Sequence, residues 1–140
     1  LAGVEAALEA IPARSDCYKA IQFAQSQTAL ADGGAVIRER YQHLNVVHTV
    51  NNLALVIWAL LRHPDDFSAA IGDVVAEGLD TDCNGATVGA LWALQGKPIP
   101  SHWLAPWDGA IGVSLAGQAA LNLEDLVTRT LAVEASLSAL

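Results

Sequence analysis

The chain is short of several residue types, and each shortage excludes a class of protein. Its two cysteines, Cys17 and Cys83, are far apart and form no C-x-x-C pair, which excludes a dense disulfide framework and indicates a reducing compartment, the cytoplasm. Seven basic residues stand against fifteen acidic ones, and the net charge of −8 argues against nucleic-acid and anionic-membrane partners. The longest apolar run, Leu53 to Leu61, is far shorter than the ~20 residues of a membrane-spanning helix.

Charged residues are also scarce, at 16%, while 53% of the chain is hydrophobic. This composition is rich in apolar residues for a free-standing domain of 140 residues. The excess can be buried in an oligomer interface or against a further part of the same protein. The chain starts at Leu1, contains no methionine and shows no basic segment before an apolar one. We therefore expect it to be a fragment of a longer polypeptide rather than a secreted precursor.

Hydrophobic spacing predicts helices along the whole chain. Apolar residues recur at i, i+3, i+4 and i+7 from Val4 to Ile11, and no alternating strand pattern longer than four residues is apparent. The spacing and the capping residues predict helices up to Pro12, over 16–31, 35–42, 49–62 and 64–78, after Asp82 and after Asn122. Asp32-Gly33-Gly34 is predicted to be a break between helices. The predicted fold class is all-α.

A candidate cation site lies in the segment from Asp80 to Leu91. Side chains at i and i+2 point roughly 200° apart in a helix but to the same side of an extended segment. Gly78 is suited to end one helix and Asp82 to cap the next, so Asp80 and Asp82 are predicted to converge before that helix. Converging carboxylates suit a hard cation such as Mg²⁺. The alternative is that both are ordinary loop and capping residues.

A polar cluster at the start of the predicted helix 49–62 also has two interpretations. His48, Asn51 and Asn52 are followed by an apolar segment, and polar groups there must be hydrogen-bonded or face a wet cleft. They either form a satisfied buried network or contact a substrate and support the cation site. The N-terminus of a helix favours anionic groups such as phosphate, which is compatible with the second interpretation.

Beyond these local features, the segment from Asp80 to Gly89 resembles the C-terminal metal motif of the ADP-ribosylglycohydrolase family. Its surroundings are similar too: His48 to Asn52 lies upstream, Asp65 to Ile71 leads into the motif, and Ile99 to Trp103 follows it. The resemblance extends from about Ala6 to about Arg129. It implies a compact array of helices.

The resemblance also implies that residues 1–140 are the C-terminal half of a single domain. Members of the family are considerably longer, and their N-terminal half carries a Thr-Asp-Asp motif that supplies the remaining metal ligands. No Thr-Asp-Asp occurs in this chain. We therefore expect the N-terminal half to be a partner in the site, and the fragment alone to be inactive.

The activity that the resemblance implies is hydrolysis of an ADP-ribosyl glycosidic bond, on a protein or a small molecule, with two divalent ions, Mg²⁺ or Mn²⁺. Asp80, Asp82 and Cys83 are the expected metal residues. Cys83 stands where many members carry threonine, and because a thiolate is soft it either leaves coordination to other groups or shifts the metal preference. His48, Asn51, Asn52 and Asn84 are the expected substrate-binding residues, with bracing of the turn as the alternative for Asn84. No residue of this chain is assigned as catalytic acid or base.

Two other functions are compatible with the resemblance. The first is a catalytically silent member of the same fold that serves as a structural or binding protein, as certain lens crystallins do. The second is a hydrolase of a small ribosylated metabolite rather than of a modified protein.

Overall fold

The computed structural model describes residues 2–139, which are mostly helical, and this confirms the all-α prediction. The chain divides into two compact units, residues 1–98 and residues 99–140. Six helices make up the described part of the first unit: α1 (Ala2–Ala10), α2 (Asp16–Gln27), α3 (Gly33–Arg40), α4 (Thr49–Arg62), α5 (Phe67–Ala76) and α6 (Thr81–Ala93). The central element is α4, which packs against α2, α3, α5 and α6.

Helix α4 is buried because its sequence is apolar on nearly every side. Every residue from Ala54 to Ala59 is buried, and Val74 of α5 and Val88 of α6 complete the surrounding core. At the C-terminal end, Arg62 Nη1 donates hydrogen bonds to the carbonyl oxygens of Thr28 and Leu30, which ties α4 to the segment after α2. The predicted bounds 49–62 are confirmed.

The predicted break at Asp32-Gly33-Gly34 is present but displaced: residues 28–32 separate α2 from α3, and both glycines belong to α3. A Cβ at Gly33 would lie 2.4 Å from the carbonyl oxygen of Gln27 and 2.6 Å from Trp58 Nε1. These glycines therefore allow close packing between helices rather than ending one. The neighbouring bounds shift accordingly: α2 ends at Gln27 instead of Ala31, and α3 occupies 33–40 instead of 35–42.

The start of α5 also differs from the prediction, which placed Pro64 in its first turn. The helix begins at Phe67, and the N-cap is Asp66, whose side chain accepts a hydrogen bond from the Ala69 N–H at 2.9 Å. Asp65 instead forms an ion pair with Lys97. Because a cap carboxylate satisfies a helix N–H and a proline ring cannot, Asp66 determines where the helix starts.

The second unit contains α7 (Ser101–Leu104), a single 3₁₀ turn (Ala105–Trp107), strands β1 (Ala110–Leu115) and β2 (Gln118–Asn122), and α8 (Leu123–Ser138). The two strands form an antiparallel hairpin in which Ala110 pairs with Asn122. Asn122 caps α8 as predicted, since its side chain accepts a hydrogen bond from the Asp125 N–H. Among residues 2–139, no helix has both the length and the apolar character needed to cross a membrane.

The hairpin was not predicted, although the sequence of β1 carries a signal for a strand. Ile111, Val113 and Leu115 alternate with smaller or polar residues over five positions, so the expectation that no alternating pattern exceeds four residues was wrong. Gly117, with a φ of +77°, provides the left-handed conformation at the turn. The hairpin adds a small sheet to a chain that is otherwise helical.

Candidate metal centre

The segment Asp80–Asp82 follows a left-handed turn between α5 and α6. Glu77 is the C-cap of α5, and the next two residues, Gly78 and Leu79, have φ values of +78° and +62°. Gly78 therefore ends the preceding helix as predicted. A left-handed conformation costs a residue with a side chain roughly 1–2 kcal/mol. Leu79 is held in it while its side chain packs against the hydrophobic core.

Asp80, rather than Asp82, occupies the N-cap position of α6, which corrects the sequence prediction. The helix begins at Thr81, so Asp82 lies in its first turn. Asp80 has φ −90° and ψ 70°, and its side chain makes no capping hydrogen bond within the helix. Because Asp80 lies outside the helix, the 200° separation of helical i and i+2 positions does not apply, and the two carboxylates still approach each other.

The structure brings three potential ligand atoms together. One carboxylate oxygen of Asp80, one of Asp82 and the sulfur of Cys83 all lie within 4.8 Å of one another, with Asp80 partly buried and the other two exposed. Two carboxylates suit Mg²⁺ or Mn²⁺, whereas the sulfur suits softer ions. The positive end of α6 also favours negative charge at this position. The donor set therefore fits a divalent cation at its two oxygen-bearing residues.

The neighbouring carboxylates raise the pKa of the Cys83 thiol. The main cause is a hydrogen bond from its thiol to the Asp80 carboxylate, followed by the negative charge of Asp80, partial desolvation and the charge of Asp82. A raised pKa favours the protonated thiol, and it is the thiolate that binds metals. For a hard cation such as Mg²⁺ the carboxylates are the better ligands of this group, because sulfur is a soft ligand.

Asn52 connects the candidate metal centre to the start of α4. Its side-chain oxygen accepts hydrogen bonds from the Asp80 N–H at 3.2 Å and from Asn84 Nδ2 at 2.7 Å. Its side-chain nitrogen donates to the carbonyl oxygens of Val46 at 2.8 Å and His48 at 2.9 Å. A single buried amide thus holds the backbone of Asp80, the first turns of α6 and the segment before α4 in one arrangement.

The other predicted substrate-binding residues occupy two kinds of environment. Asn51 is 1% exposed, donates to the carbonyl oxygen of Asn45 and accepts from the backbone N–H of Asn52. Asn84 is buried beside Asn52, whereas His48 is exposed at the N-cap of α4, where its Nδ1 accepts from the Val50 N–H. Asn51 and Asn52 are buried and hydrogen-bonded, as one of the two interpretations of their cluster with His48 predicted, and Asn84 joins this network. Contact with substrate stays a prediction.

One contact next to the site was not predicted from the sequence. Arg38 of α3 reaches Glu77, the residue that ends α5, and binds both its carboxylate and its backbone carbonyl. No local pattern in the sequence connects these two residues, which lie 39 positions apart.

Comparison with known proteins agrees with the motif and the helical array. A family model described as ADP-ribosylglycohydrolase matches residues 2–135. Searches of curated proteins and of solved structures each found no match. The family match spans nearly the whole chain and includes the segment that carries Asp80, Asp82 and Cys83. The resemblance inferred from the sequence is confirmed, and the chain belongs to the ADP-ribosylglycohydrolase family.

Proposed function

We propose that the protein hydrolyses the glycosidic bond between ADP-ribose and its acceptor with the help of bound divalent cations, Mg²⁺ or Mn²⁺, in a binuclear site. The observation that carries the proposal is the approach of Asp80, Asp82 and Cys83 ligand atoms to within 4.8 Å in a chain of this family. The acceptor is a protein side chain or a small molecule, since the family acts on ADP-ribosylated substrates.

Asp80 and Asp82 are the residues proposed to bind the cation directly. Mg²⁺ takes about six oxygen ligands, and two carboxylates cannot supply them all. Further ligands must therefore come from water, substrate and other protein groups. We propose that the N-terminal half of the same domain supplies those protein groups and that residues 1–140 form the C-terminal half. This chain alone is then expected to be inactive.

The cation and the protein side chains are proposed to have different roles in the reaction. When bound, a divalent cation acts as a Lewis acid and as a template for oxygen ligands of the substrate. The carboxylates of Asp80 and Asp82 would hold that cation in place, and the glycosidic bond would break through an oxocarbenium-like transition state. The buried amide of Asn52 keeps Asp80 in place by binding its backbone N–H. The acid or base that activates water is proposed to come from the other half.

Substrate contacts are proposed for the start of α4 and the adjacent network. His48 is exposed at the N-terminus of this 14-residue helix, which suits a phosphate group of ADP-ribose. Asn51, Asn52 and Asn84 are buried, and we propose that they support the site through their hydrogen bonds. Both cysteines are unpaired, which supports the cytoplasm as the proposed compartment.

The first prediction tests the metal centre itself. In the complete protein, Asp82→Asn should abolish binding of Mn²⁺ and Mg²⁺ measured by titration calorimetry, because it removes one of two converging negative charges. Asp125→Asn is the matched control: Asp125 also lies in the first turn of a helix, α8. The control should bind the cations with unchanged affinity.

Unchanged affinity in Asp82→Asn would refute the metal assignment. If the cation binds but ADP-ribosylarginine and nucleoside-linked ADP-ribose are both left intact, the protein is a silent member of the fold. Turnover of only one of the two substrates identifies the acceptor class.

A further inference from the structure

Arg38 of α3 holds the end of α5 through two contacts with a single residue. Its Nε lies 3.1 Å from Glu77 Oε2, and its Nη1 donates a hydrogen bond to the backbone carbonyl oxygen of Glu77 at 3.0 Å. One contact fixes the Glu77 side chain and the other fixes the direction of its carbonyl group. A lysine cannot reproduce this pair, because its ammonium group is a single point of contact rather than a rigid planar fork.

Gly34 makes room for the same glutamate. It lies one helical turn before Arg38 on α3 and is buried. A Cβ at this position would lie 2.3 Å from Glu77 Oε1 and 2.4 Å from its Cδ, so the Glu77 side chain rests directly against the Gly34 backbone. Gly34 and Arg38 together form a socket on α3, the Glu77 socket, that receives the C-cap residue of α5.

Only two residues, Gly78 and Leu79, separate Glu77 from Asp80, the first residue of the candidate metal centre. Gly78 and Leu79 are both left-handed, and the backbone N–H of Asp80 is then held by Asn52 at 3.2 Å. A strained backbone conformation such as that of Leu79 persists only where several surrounding contacts hold it in place. The turn is held at Glu77 by the socket, at Leu79 by the core and at Asp80 by Asn52.

We infer that Gly34 and Arg38 are positioning residues, which hold Glu77 so that the turn after it directs the Asp80 carboxylate toward Asp82. The inference rests on the proposed metal site. The Arg38–Glu77 ion pair is partly exposed, with Arg38 48% and Glu77 21% accessible, so by itself it contributes little to folding stability. Its effect is therefore expected in cation affinity rather than in the unfolding transition.

The test compares Arg38→Lys with Arg40→Lys in the complete protein, measured by Mn²⁺ titration calorimetry. Arg40 lies on the same helix, and its guanidinium group stacks over the Phe23 ring instead. Changing groups that orient metal ligands typically costs 10–100-fold in affinity, and we expect a weakening of about tenfold for Arg38→Lys. Arg40→Lys should keep the parental affinity, and both variants should keep the parental melting temperature. Amide exchange at residues 78–80 should accelerate only in Arg38→Lys.

Gly34→Ala separates positioning from stability. The new methyl group displaces the flexible Glu77 side chain from the socket, so Mn²⁺ affinity should fall by a similar factor. Alanine is a better helix former than glycine, so the melting temperature should stay the same or rise. A merely structural role predicts that affinity and melting temperature fall together.

The outcomes distinguish this inference from the proposed function. If the parental protein binds Mn²⁺ and Asp82→Asn does not, the proposed metal site is supported. Parental affinity in both Arg38→Lys and Gly34→Ala would then contradict the positioning role of the Glu77 socket but not the metal site. An equal loss in Arg40→Lys, or a loss that parallels a lower melting temperature, also overturns it. If the parental protein binds no Mn²⁺, the proposed site and the inference fail together.

Discussion

At the scale of single residues, Asn52 connects the segment before α4 to the start of α6. It lies on the buried helix α4, where an unpaired amide is costly, and its two side-chain atoms have partners before α4 and at the start of α6. The sequence indicated a polar cluster here, because asparagines before an apolar segment require partners. It did not indicate which partners, since Asp80 and Asn84 are 28 and 32 positions away.

The prediction at this scale is that Asn52→Ala destabilises the fold by roughly 3 kcal/mol, because it leaves the buried Asn84 amide and the Asp80 N–H without their acceptor. Urea unfolding followed by circular dichroism measures the free energy of unfolding. Asn45→Ala is the control: Asn45 is exposed, and its side chain accepts from the Val47 N–H. The control should lose less than about 1 kcal/mol. Equal losses in the two variants would contradict the role of Asn52.

For whole elements, the sequence predicted the helices better than their ends. Helix α4 was predicted with its observed bounds, because a long apolar segment that ends at a charged residue marks the extent of a buried helix. Ser15 caps α2 through a contact that is equally local, since its hydroxyl oxygen accepts a hydrogen bond from the Tyr18 N–H. Two predicted helix starts were wrong. Gly33 belongs to α3, where it packs against Gln27 and Trp58, and α5 starts after Asp66, whose carboxylate caps the Ala69 N–H.

The corrected start of α5 leads to a prediction. Asp66→Ala should lower the free energy of unfolding by about 1 kcal/mol, because the Ala69 N–H loses the carboxylate that caps it. Asp65→Ala removes the same charge from the preceding residue, whose side chain is 89% exposed in its ion pair with Lys97. It should cost less than about 0.5 kcal/mol. Chemical denaturation of both variants measures the two free energies of unfolding. A larger loss in Asp65→Ala than in Asp66→Ala would contradict Asp66 as the cap of α5.

Across the whole molecule, burial is distributed unevenly between the two units. The buried apolar residues all lie between Ala20 and Trp92, within the first unit, whereas none of the described residues from 99 to 139 is buried. Helix α8 leaves Val127, Leu131 and Leu137 exposed. The apolar excess noted in the sequence is thus partly accounted for by exposed side chains in the second unit.

This distribution predicts unequal local stability within the 140-residue chain. Amides of α8 should exchange at least about 100-fold faster than those of Ala54 to Trp58, since segments with few buried contacts open at low free-energy cost. Hydrogen–deuterium exchange read by mass spectrometry measures both segments in one sample. Equal protection of α8 and α4 would show that the second unit is stabilised by something other than burial.

The sequence by itself determined the helical class, the buried helix α4 and the acidic segment from Asp80 to Asp82, because periodicity, capping and residue chemistry act over a few neighbouring positions. Only the tertiary structure decided that Asn52 binds the backbone of Asp80 and that Arg38 binds Glu77, 39 positions away. Such contacts depend on how entire helices pack against one another. The geometry of the candidate metal centre is therefore a property of the packed core as much as of the motif.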